Sequence, residues 1–339
     1  MRIIVDVMSG DNAPLEPIKG AVMAANAYKI EIVMVGDEKI IAETCAKNDV
    51  TLPYNIDIVN SESVITMEDA PLAVVREKSN SSMGVGLRML ADGKADAFVS
   101  AGNTGALHAG STLLVRRIKG IKRSAISTLL PFDNPMMLID SGANIEVNKE
   151  QLEQFGFMGS IYMRKLYNIA RPRVGLANIG TEPTKGTKEL VEAYEYLSRS
   201  DKIYFVGNVE GKQMPFGVCD VLVCDGFTGN TILKVTEGIS NYVMKKIKGV
   251  MMSTPITKLS ALTMRRQLTG LKAAFSASEY GGAPMLGISK PVIKAHGNSD
   301  AEEIKNSVRQ AIAFLNTGLI NDIANAANNA EENTGKNNE

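Results

Sequence analysis

Three short, glycine-rich polar segments carry the residue types in this chain that could hold an anion. They are 100–105 (SAGNTG), 178–187 (NIGTEPTKGT) and 225–230 (DGFTGN). Each follows an apolar run that is typical of a strand and precedes a pattern that is typical of a helix. A helix N-terminus offers free backbone N–H groups and the positive end of the helix dipole, and both attract anions. Together the three junctions predict one anion-binding cleft.

The elements that would position these segments alternate along the chain. Strands are predicted at 3–7, 31–35, 55–59, 95–100, 125–129, 136–139, 174–177, 203–206 and 221–223. Helices are predicted at 15–27, 39–47, 82–92, 105–117, 149–167, 185–197, 229–248 and 301–324. This alternation predicts a mostly parallel sheet with helices on both faces, a doubly wound α/β fold. Ligands of such folds bind beyond the carboxyl ends of the strands, where the three segments are expected to lie.

The segment 251–277 interrupts the alternation, because it is basic and amphipathic and contains no acidic residue. Pro255 marks a helix start, and leucines recur at helical spacing with lysines and arginines between them. Such a helical hairpin could lie on an anionic membrane or dock a partner, and it could equally pack on its own domain or on a dimer mate. We predict one α/β domain over 1–328 with this helical insertion, followed by a polar, disordered tail at 329–339.

The composition argues against several classes of protein. Lys+Arg and Asp+Glu number 37 each, so no overall positive charge attracts nucleic acid. Three scattered cysteines and two histidines favour neither a disulfide framework nor a multi-histidine metal site. The glycine spacings of dinucleotide-binding and P-loop proteins are absent, so no metal and no cofactor are predicted. Neither an export signal nor a membrane-spanning helix is expected.

Six sequence blocks, in the same order along the chain, are similar to the bacterial phosphate acyltransferases of phospholipid synthesis. They are 6–14 (DVMSGDNAP), 100–106 (SAGNTGA), 140–144 (DSGAN), 178–186 (NIGTEPTKG), 225–230 (DGFTGN) and 294–300 (KAHGNSD). Departures from the family pattern fall at Val7, Ser9, 181–184 and Asn298. The resemblance covers nearly the whole chain except the tail. It implies a Rossmann-like topology related to the phosphotransacetylases.

The resemblance also implies an activity. The family transfers an acyl group from acyl-acyl carrier protein to inorganic phosphate, and the acyl phosphate then serves a glycerol-3-phosphate acyltransferase. A homodimer in the cytoplasm is expected, with peripheral contact to the inner face of the cell membrane through 251–277. No nucleic-acid partner is expected.

Lys185 and Asn230 are the catalytic residues that the resemblance implies. We expect Lys185 to neutralise phosphate or the oxyanion and Asn230 to donate a hydrogen bond to it. Phosphate is nucleophilic at neutral pH and a thiolate leaves readily, so strong acid–base catalysis is not required. The residues predicted to bind substrate or phosphate are Gly10, Asp11, Ser100, Gly102, Asn103, Thr104, Gly105, Asn144, Gly180, Asp225, Gly226, Thr228, Gly229 and His296.

Structural roles compete with these catalytic and binding roles. Lys185 could be a solvated residue of a first helical turn, and Asn230 could cap a helix. The segment 102–105 could form only a tight turn, and Asp11 and Asp225 could be turn residues.

Two further polar side chains are expected to be structural. His108 lies in a predicted apolar helix, which favours a buried residue with its hydrogen bonds satisfied. Cys224 could form an acyl-enzyme, but nothing near it in sequence would lower its pKa, so a small buried side chain is expected.

Two other functions compete with the acyl carrier reaction. A phosphotransacetylase acting on short acyl-CoA would share the fold, the phosphate and the thioester. A non-catalytic scaffold would instead use the segment 251–277 to recruit enzymes of lipid synthesis to a membrane surface.

Overall fold

Eleven strands form one sheet in the computed structural model, which describes residues 1–132, 134–264, 267 and 281–336. In chain order the strands are β1 Arg2–Asp6, β2 Glu31–Gly36, β3 Ile56–Asn60, β4 Ala97–Ser100, β5 Ala125–Leu130, β6 Met136–Ile139, β7 Arg173–Ala177, β8 Tyr204–Val209, β9 Val221–Val223, β10 Ala283–Leu286 and β11 Val292–Lys294. Strands β1 to β9 lie where strands are predicted. Strands β10 and β11 are not predicted.

The helices occupy the predicted helical segments with small shifts at their ends. They are α1 Leu15–Tyr28, α2 Glu38–Lys47, α3 Ser82–Ala91, α4 Thr104–Gly110, α5 Lys149–Tyr167, α6 Lys188–Ser198, α7 Gly226–Met251, α8 Pro255–Thr263, α9 Ala301–Asn316 and α10 Leu319–Lys336. A π-helical turn at Ser111–Val115 continues α4. The predicted helix 301–324 divides in two at Gly318, whose φ of 65° is left-handed and favours glycine.

The order of the strands across the sheet is β3-β2-β1-β4-β11-β10-β5-β6-β9-β7-β8. The first four follow the 3-2-1-4 order with which the Rossmann sheet begins. Neighbours pair in parallel within each end of the sheet. In the described part of the chain, antiparallel pairing joins β11 to β10, β10 to β5 and β5 to β6. A short antiparallel centre therefore separates two parallel halves.

Alternate residues of β1 face opposite layers, because side chains along a strand point to opposite faces. Ile3 and Val5 pack with Ile18 of α1 in one core cluster, which α9 also joins. Ile4 packs in a second cluster with Leu87 of α3. All five side chains are fully buried. Helices thus cover both faces of this half, and the doubly wound α/β fold is confirmed.

The second half of the sheet is also covered on both faces. Phe155 and Met158 of α5 are fully buried against one face. On the other face, Leu138 of β6 and Leu222 of β9 pack with Leu233 from the first turns of α7. The start of α7 therefore belongs to the body of the domain.

The outer part of α7 and α8 forms an arm, residues 235–264, whose apolar side chains are exposed. Ile239 is 59% exposed, Ile256 is 77% exposed and Leu259 is 66% exposed. Thr254 caps α8, and Pro255 occupies its first turn as predicted. The rest of the predicted hairpin, apart from Gln267, lies outside the described residues.

The last helix, α10, continues to Lys336. Its backbone enters the segment 329–339 that the sequence predicts as a disordered tail, and 337–339 lie outside the described residues. Among the described residues, we find no helix with the length and apolar character that crossing a bilayer requires.

Candidate active site

A cavity of about 820 Å³ opens at the carboxyl ends of the strands, between the two halves of the sheet. Its lining comes from the loops after β4 and β6, the start of α7, strand β5 and the end of β11. Of the predicted site residues, those that line it are Gly102, Thr104, Gly226, Asn230 and His296. The position is the one expected for ligands of a doubly wound sheet.

The start of α7 is fixed tightly to the body. Asp225 caps the helix, since its Oδ1 accepts from the Thr228 backbone N–H at 2.7 Å and its Oδ2 from the Thr228 hydroxyl at 2.8 Å. A Cβ on Gly229 would lie 1.9 Å from the Asp140 carbonyl oxygen, so only glycine permits this approach. Asn230 follows with an exposed side chain on the cavity. Asp225, not Asn230, is therefore the cap.

Asp140 organises the loop that follows β6. Its carboxylate accepts backbone N–H groups from Ile126, Ala143 and Asn144, the last at 2.6 Å. The Asn144 side chain donates to the same carboxylate at 2.8 Å, and the Asn144 carbonyl accepts the Gly226 N–H at 2.6 Å. Asn144 is buried, so it positions α7 beside the cavity.

The loop after β4 is supported by a buried pair at the strand ends. The Ser100 hydroxyl donates to Asp6 at 2.8 Å and accepts the Gly102 N–H at 3.1 Å. Burial raises the pKa of Asp6, against the lowering effect of hydrogen bonds from nearby serines. Asn103 caps α4 through the Ala106 N–H. Ser100 and Asn103 thus hold the loop in place.

Gly10 and Asp11 join the first sequence block, 6–14, to the last, 294–300. Gly10 has a φ of 111°, and a Cβ there would lie 2.9 Å from the Ala101 side chain and 3.0 Å from the Gly297 carbonyl. The Asp11 N–H donates to that carbonyl at 2.7 Å. Gly105 packs against Pro71. None of the three lines the cavity, and their contacts hold the neighbouring loops together.

His296 lies in a small charged cluster on the cavity. Its Nε2 is 3.3 Å from Lys234 Nζ and 3.6 Å from Glu237 Oε1, and Lys234 Nζ is 2.9 Å from Glu237 Oε2. Burial would raise the pKa of Glu237, but hydrogen bonds from His296 and Lys234 outweigh burial and lower it. Lys234 and Glu237 were not predicted as site residues, because they lie within a helical pattern and match no motif.

Lys294 is the other cation of the cavity, and it was not predicted as a site residue. It ends β11, opposite Ser100 in register, and it is partly buried. Its Nζ donates to the carbonyls of Ala101, at 3.2 Å, and of Ala295. Burial, and then repulsion by Lys234, lower its pKa to about 8, while Asp11 and Asp6 act in the opposite direction. The sequence feature that could have identified Lys294 is its position at the start of the block 294–300.

Lys185 and Gly180 lie in the loop after β7, outside the lining of this cavity. Lys185 is exposed, and its aliphatic stem lies beside Gly180, where a Cβ would be 2.8 Å from Lys185 Cγ. The Asn178 amide donates to the Lys185 carbonyl at 3.0 Å. The structure therefore brings Asn230 to the cavity but leaves Lys185 on an exposed loop.

Two other polar residues are held in structural positions. His108 Nε2 lies 3.0 Å from the Ser124 hydroxyl, and burial lowers its pKa. Cys224 is buried, and burial raises the pKa of its thiol well above the ordinary value, which disfavours a nucleophilic thiolate. Across the described part of the chain, we find no group of three or more His, Cys, Asp or Glu side chains arranged to hold a metal ion.

Solved structures with the same architecture include two kinds of enzyme. The EutD phosphotransacetylase from Staphylococcus aureus is similar with a TM-score of 0.56 and 16% identity, over 96% of this chain and 94% of that one. A 4-hydroxythreonine-4-phosphate dehydrogenase from Klebsiella pneumoniae gives a TM-score of 0.55 and 14% identity, over 93% and 97% of the chains. At such identities the likeness concerns the fold alone.

Sequence relatives are much closer. Residues 1–322 match the family described as fatty acid synthesis protein. A phosphate acyltransferase from Thermoanaerobacter pseudethanolicus is 45% identical over 325 residues, which cover 95% of this chain and 96% of the relative. A phosphate acyltransferase from Clostridioides difficile is 41% identical over 325 residues, covering 95% of each chain. The chain belongs to the bacterial phosphate acyltransferase family.

Proposed function

We propose that this enzyme transfers a fatty acyl group from acyl-acyl carrier protein to inorganic phosphate, giving acyl phosphate for phospholipid synthesis. The observation that carries the proposal is the mixed lining of one cavity. Met67, Ile145 and Phe227, which are exposed, supply apolar surface for an acyl or pantetheine chain, while Lys294 supplies positive charge for phosphate. Family membership makes phosphate the natural acyl acceptor.

The reaction needs positioning and charge stabilisation more than proton transfer. An oxygen of hydrogen phosphate attacks the thioester carbonyl carbon, and the carbonyl oxygen becomes an oxyanion. The carbonyl re-forms as the carbon–sulfur bond breaks, and the electron pair leaves on the carrier thiolate. The proton that phosphate loses is taken up by the carrier thiolate, which becomes the free thiol. Binding both reactants in one cavity replaces a bimolecular encounter with a local one.

Asn230 and the start of α7 are suited to the oxyanion. The Asn230 side chain lies on the cavity without a hydrogen-bond partner among the described residues, so its amide N–H groups are available. The positive end of the α7 helix dipole lies at the same cavity, because Gly226 at the start of α7 lines it. Lys185 is proposed to supply a second positive charge besides that of Lys294. Its exposed loop follows β7, which pairs in parallel with β9, the strand that precedes α7. His296, Gly102, Thr104 and Gly226 are proposed to contact substrate.

The partners follow from the same chemistry. Acyl carrier protein is acidic, and the lysines of the outer part of α7, at 245, 246 and 248, offer complementary charge. Acyl phosphate is a reactive mixed anhydride, so a glycerol-3-phosphate acyltransferase is proposed to use it promptly. The exposed apolar arm is proposed to contact a dimer mate or the inner face of the cell membrane.

The function is tested by incubating the purified enzyme with palmitoyl-acyl carrier protein and following release of the free carrier thiol, with and without inorganic phosphate. We expect release that depends on phosphate and yields palmitoyl phosphate. Asn230→Ala is assayed in parallel. Release without phosphate would indicate a thioesterase and would contradict the proposal.

A second thioester separates the proposal from its alternatives. Phosphate-dependent release from acetyl-CoA, with none from the carrier substrate, would indicate a phosphotransacetylase. No release from either thioester, together with retained binding to vesicles, would favour the non-catalytic scaffold.

A further inference from the structure

The cavity contains two lysines whose surroundings differ. Lys234 is already paired with a carboxylate, since its Nζ lies 2.9 Å from Glu237 Oε2. Among the described residues, Lys294 forms no salt bridge, and its hydrogen bonds go to two carbonyls. An ammonium group has three N–H donors. Lys294 therefore keeps one donor and an uncompensated charge at the cavity.

The position of Lys294 is fixed by the sheet and not by a flexible loop. Asp6, Ser100 and Lys294 are register partners at the ends of β1, β4 and β11. Ser100 already donates to Asp6 at 2.8 Å, so this row is tied together next to the cavity. A partly buried charge without a counterion is costly, and an anion bound beside it removes much of that cost.

We propose that Lys294 is the residue that binds the acceptor phosphate in the cavity. This proposal rests on the proposed function and assigns the phosphate site within it. Lys294 donates one charge-assisted hydrogen bond to a phosphate oxygen. Phosphate held there lies near Gly102, since Lys294 Nζ donates to the carbonyl of the preceding Ala101 at 3.2 Å. Lys185, which lies outside the cavity lining, then acts on a different group or at a different stage.

Charge and hydrogen bonding at this position can be separated by substitution. Lys294→Met removes the charge and both carbonyl hydrogen bonds. Lys294→Gln removes the charge but keeps an NH₂ group that can donate to the two carbonyls, so it protects the fold. Lys294→Arg keeps the charge. Lys290→Met is the matched control, because Lys290 is also partly buried, donates to the Leu90 carbonyl at 2.7 Å and does not line the cavity.

The first readout is binding without turnover. Phosphate, added at constant ionic strength set with chloride, is expected to raise the melting temperature of the wild-type enzyme and of Lys290→Met. The shift should be lost in Lys294→Met and Lys294→Gln, because the cation that holds phosphate is gone. Retention of the full shift in both uncharged variants would overturn the proposal.

The second readout is the steady-state rate with acyl-acyl carrier protein. We expect KM for phosphate to rise about 10- to 100-fold in Lys294→Gln, the loss expected for a charge-assisted hydrogen bond, with KM for the carrier substrate within about twofold. Lys290→Met should match the wild type. An unchanged KM for phosphate in folded Lys294→Gln would contradict the assignment. A wild-type enzyme without phosphate-dependent turnover would instead contradict the proposed function, while the melting experiment would still test Lys294.

The third readout is a pH profile that a structural lysine would not change. Asp6, Asp11 and Lys234 act on Lys294, and His296 and Glu237 lie next to Lys234. Because the pKa of Lys294 is lowered to about 8, kcat/KM for phosphate should fall as pH rises above about 8. In Lys294→Arg this fall should disappear, since a guanidinium stays charged throughout the range. An identical fall in the arginine variant would assign the titration to another group.

Discussion

The two ends of α7 differ in how they are held. At its start, Gly226 and Gly229 are buried, the helix is capped by Asp225, and Gly229 touches the Asp140 carbonyl. In its outer part, Tyr242 is 62% exposed and Val250 is 65% exposed. The same helix therefore begins as part of the domain core and ends as an exposed surface. Changes at the start should alter folding and catalysis, whereas changes at the outer end should alter association.

The largest effect is expected from Gly229→Ala. The new Cβ would lie 1.9 Å from the Asp140 carbonyl oxygen, and backbone cannot move away as a side chain can. We expect a loss of about 3 kcal/mol or more in the free energy of unfolding. Gly238→Ala in the same helix is the control, since a Cβ there meets nothing within 4 Å. It should gain about 0.5–1 kcal/mol. Urea unfolding measures both, and equal changes would refute the contrast.

Asn230→Ala should reduce catalysis without unfolding the protein. Loss of one preorganised donor at an oxyanion costs about 10²- to 10³-fold in kcat. Because the Asn230 side chain is exposed and is not the cap, the free energy of unfolding should stay within about 0.5 kcal/mol. Thr231→Ala, the next residue, serves as control. A rate like that of the wild type in Asn230→Ala would remove this residue from the mechanism.

Lys185→Ala tests a loop that lies outside the cavity lining. We expect a smaller loss, about tenfold in kcat/KM, because an exposed cation contributes less than a buried one. Lys188→Ala, on the exposed first turn of α6, should have no effect. If the two variants behave alike, Lys185 is a solvated surface lysine.

The smallest effect on turnover is expected in the arm. Leu259→Asp places a charge on the exposed apolar side of α8, so binding to anionic vesicles should weaken about 10- to 100-fold. Turnover with soluble acyl-acyl carrier protein should remain within about twofold. Ser260→Asp adds the same charge at an exposed residue about 100° around the helix from Leu259 and is the control. Equal vesicle binding by Leu259→Asp and wild type would show that this side does not contact lipid.

Much of the fold follows from local sequence pattern. The nine predicted strands are each apolar runs bounded by turn residues, and the long amphipathic helices repeat at 3.6 residues. Strands β10 and β11 were not predicted because β10 contains Pro284, which argues against a strand, and β11 lies between Pro291 and the polar block 294–300. Their place in the sheet is set by pairing with β5 and β4, which lie more than 150 residues earlier in the chain. Pattern alone does not report such distant pairing.

The cavity was predicted better as a location than as a set of contacts. Glycine-rich junctions predict where anions bind, but they do not separate a residue that faces the cavity from one that holds the loop. Asn103, Asn144 and Asp225 turn out to stabilise backbone, because their side chains satisfy N–H groups at loops and helix ends. Lys294 depends on the unpredicted strand β11. Whether Glu237 lies at the cavity depends on which side of α7 faces the domain, and amphipathic spacing does not determine that side.

Helix α7 has 26 residues, so it is about 39 Å long. The helix is fixed near its start, where Gly229 meets the Asp140 carbonyl, so a tilt about this contact displaces its far end most. A tilt of about 5° about Gly229 would carry the far tip, about 33 Å away, through roughly 3 Å, while Asn230, the next residue, would move by roughly 0.3 Å. A tilt of the outer end of α7 would therefore hardly displace Asn230. A tilt that brings the far end of α7 against a dimer mate or a membrane would leave Asn230 in place at the cavity.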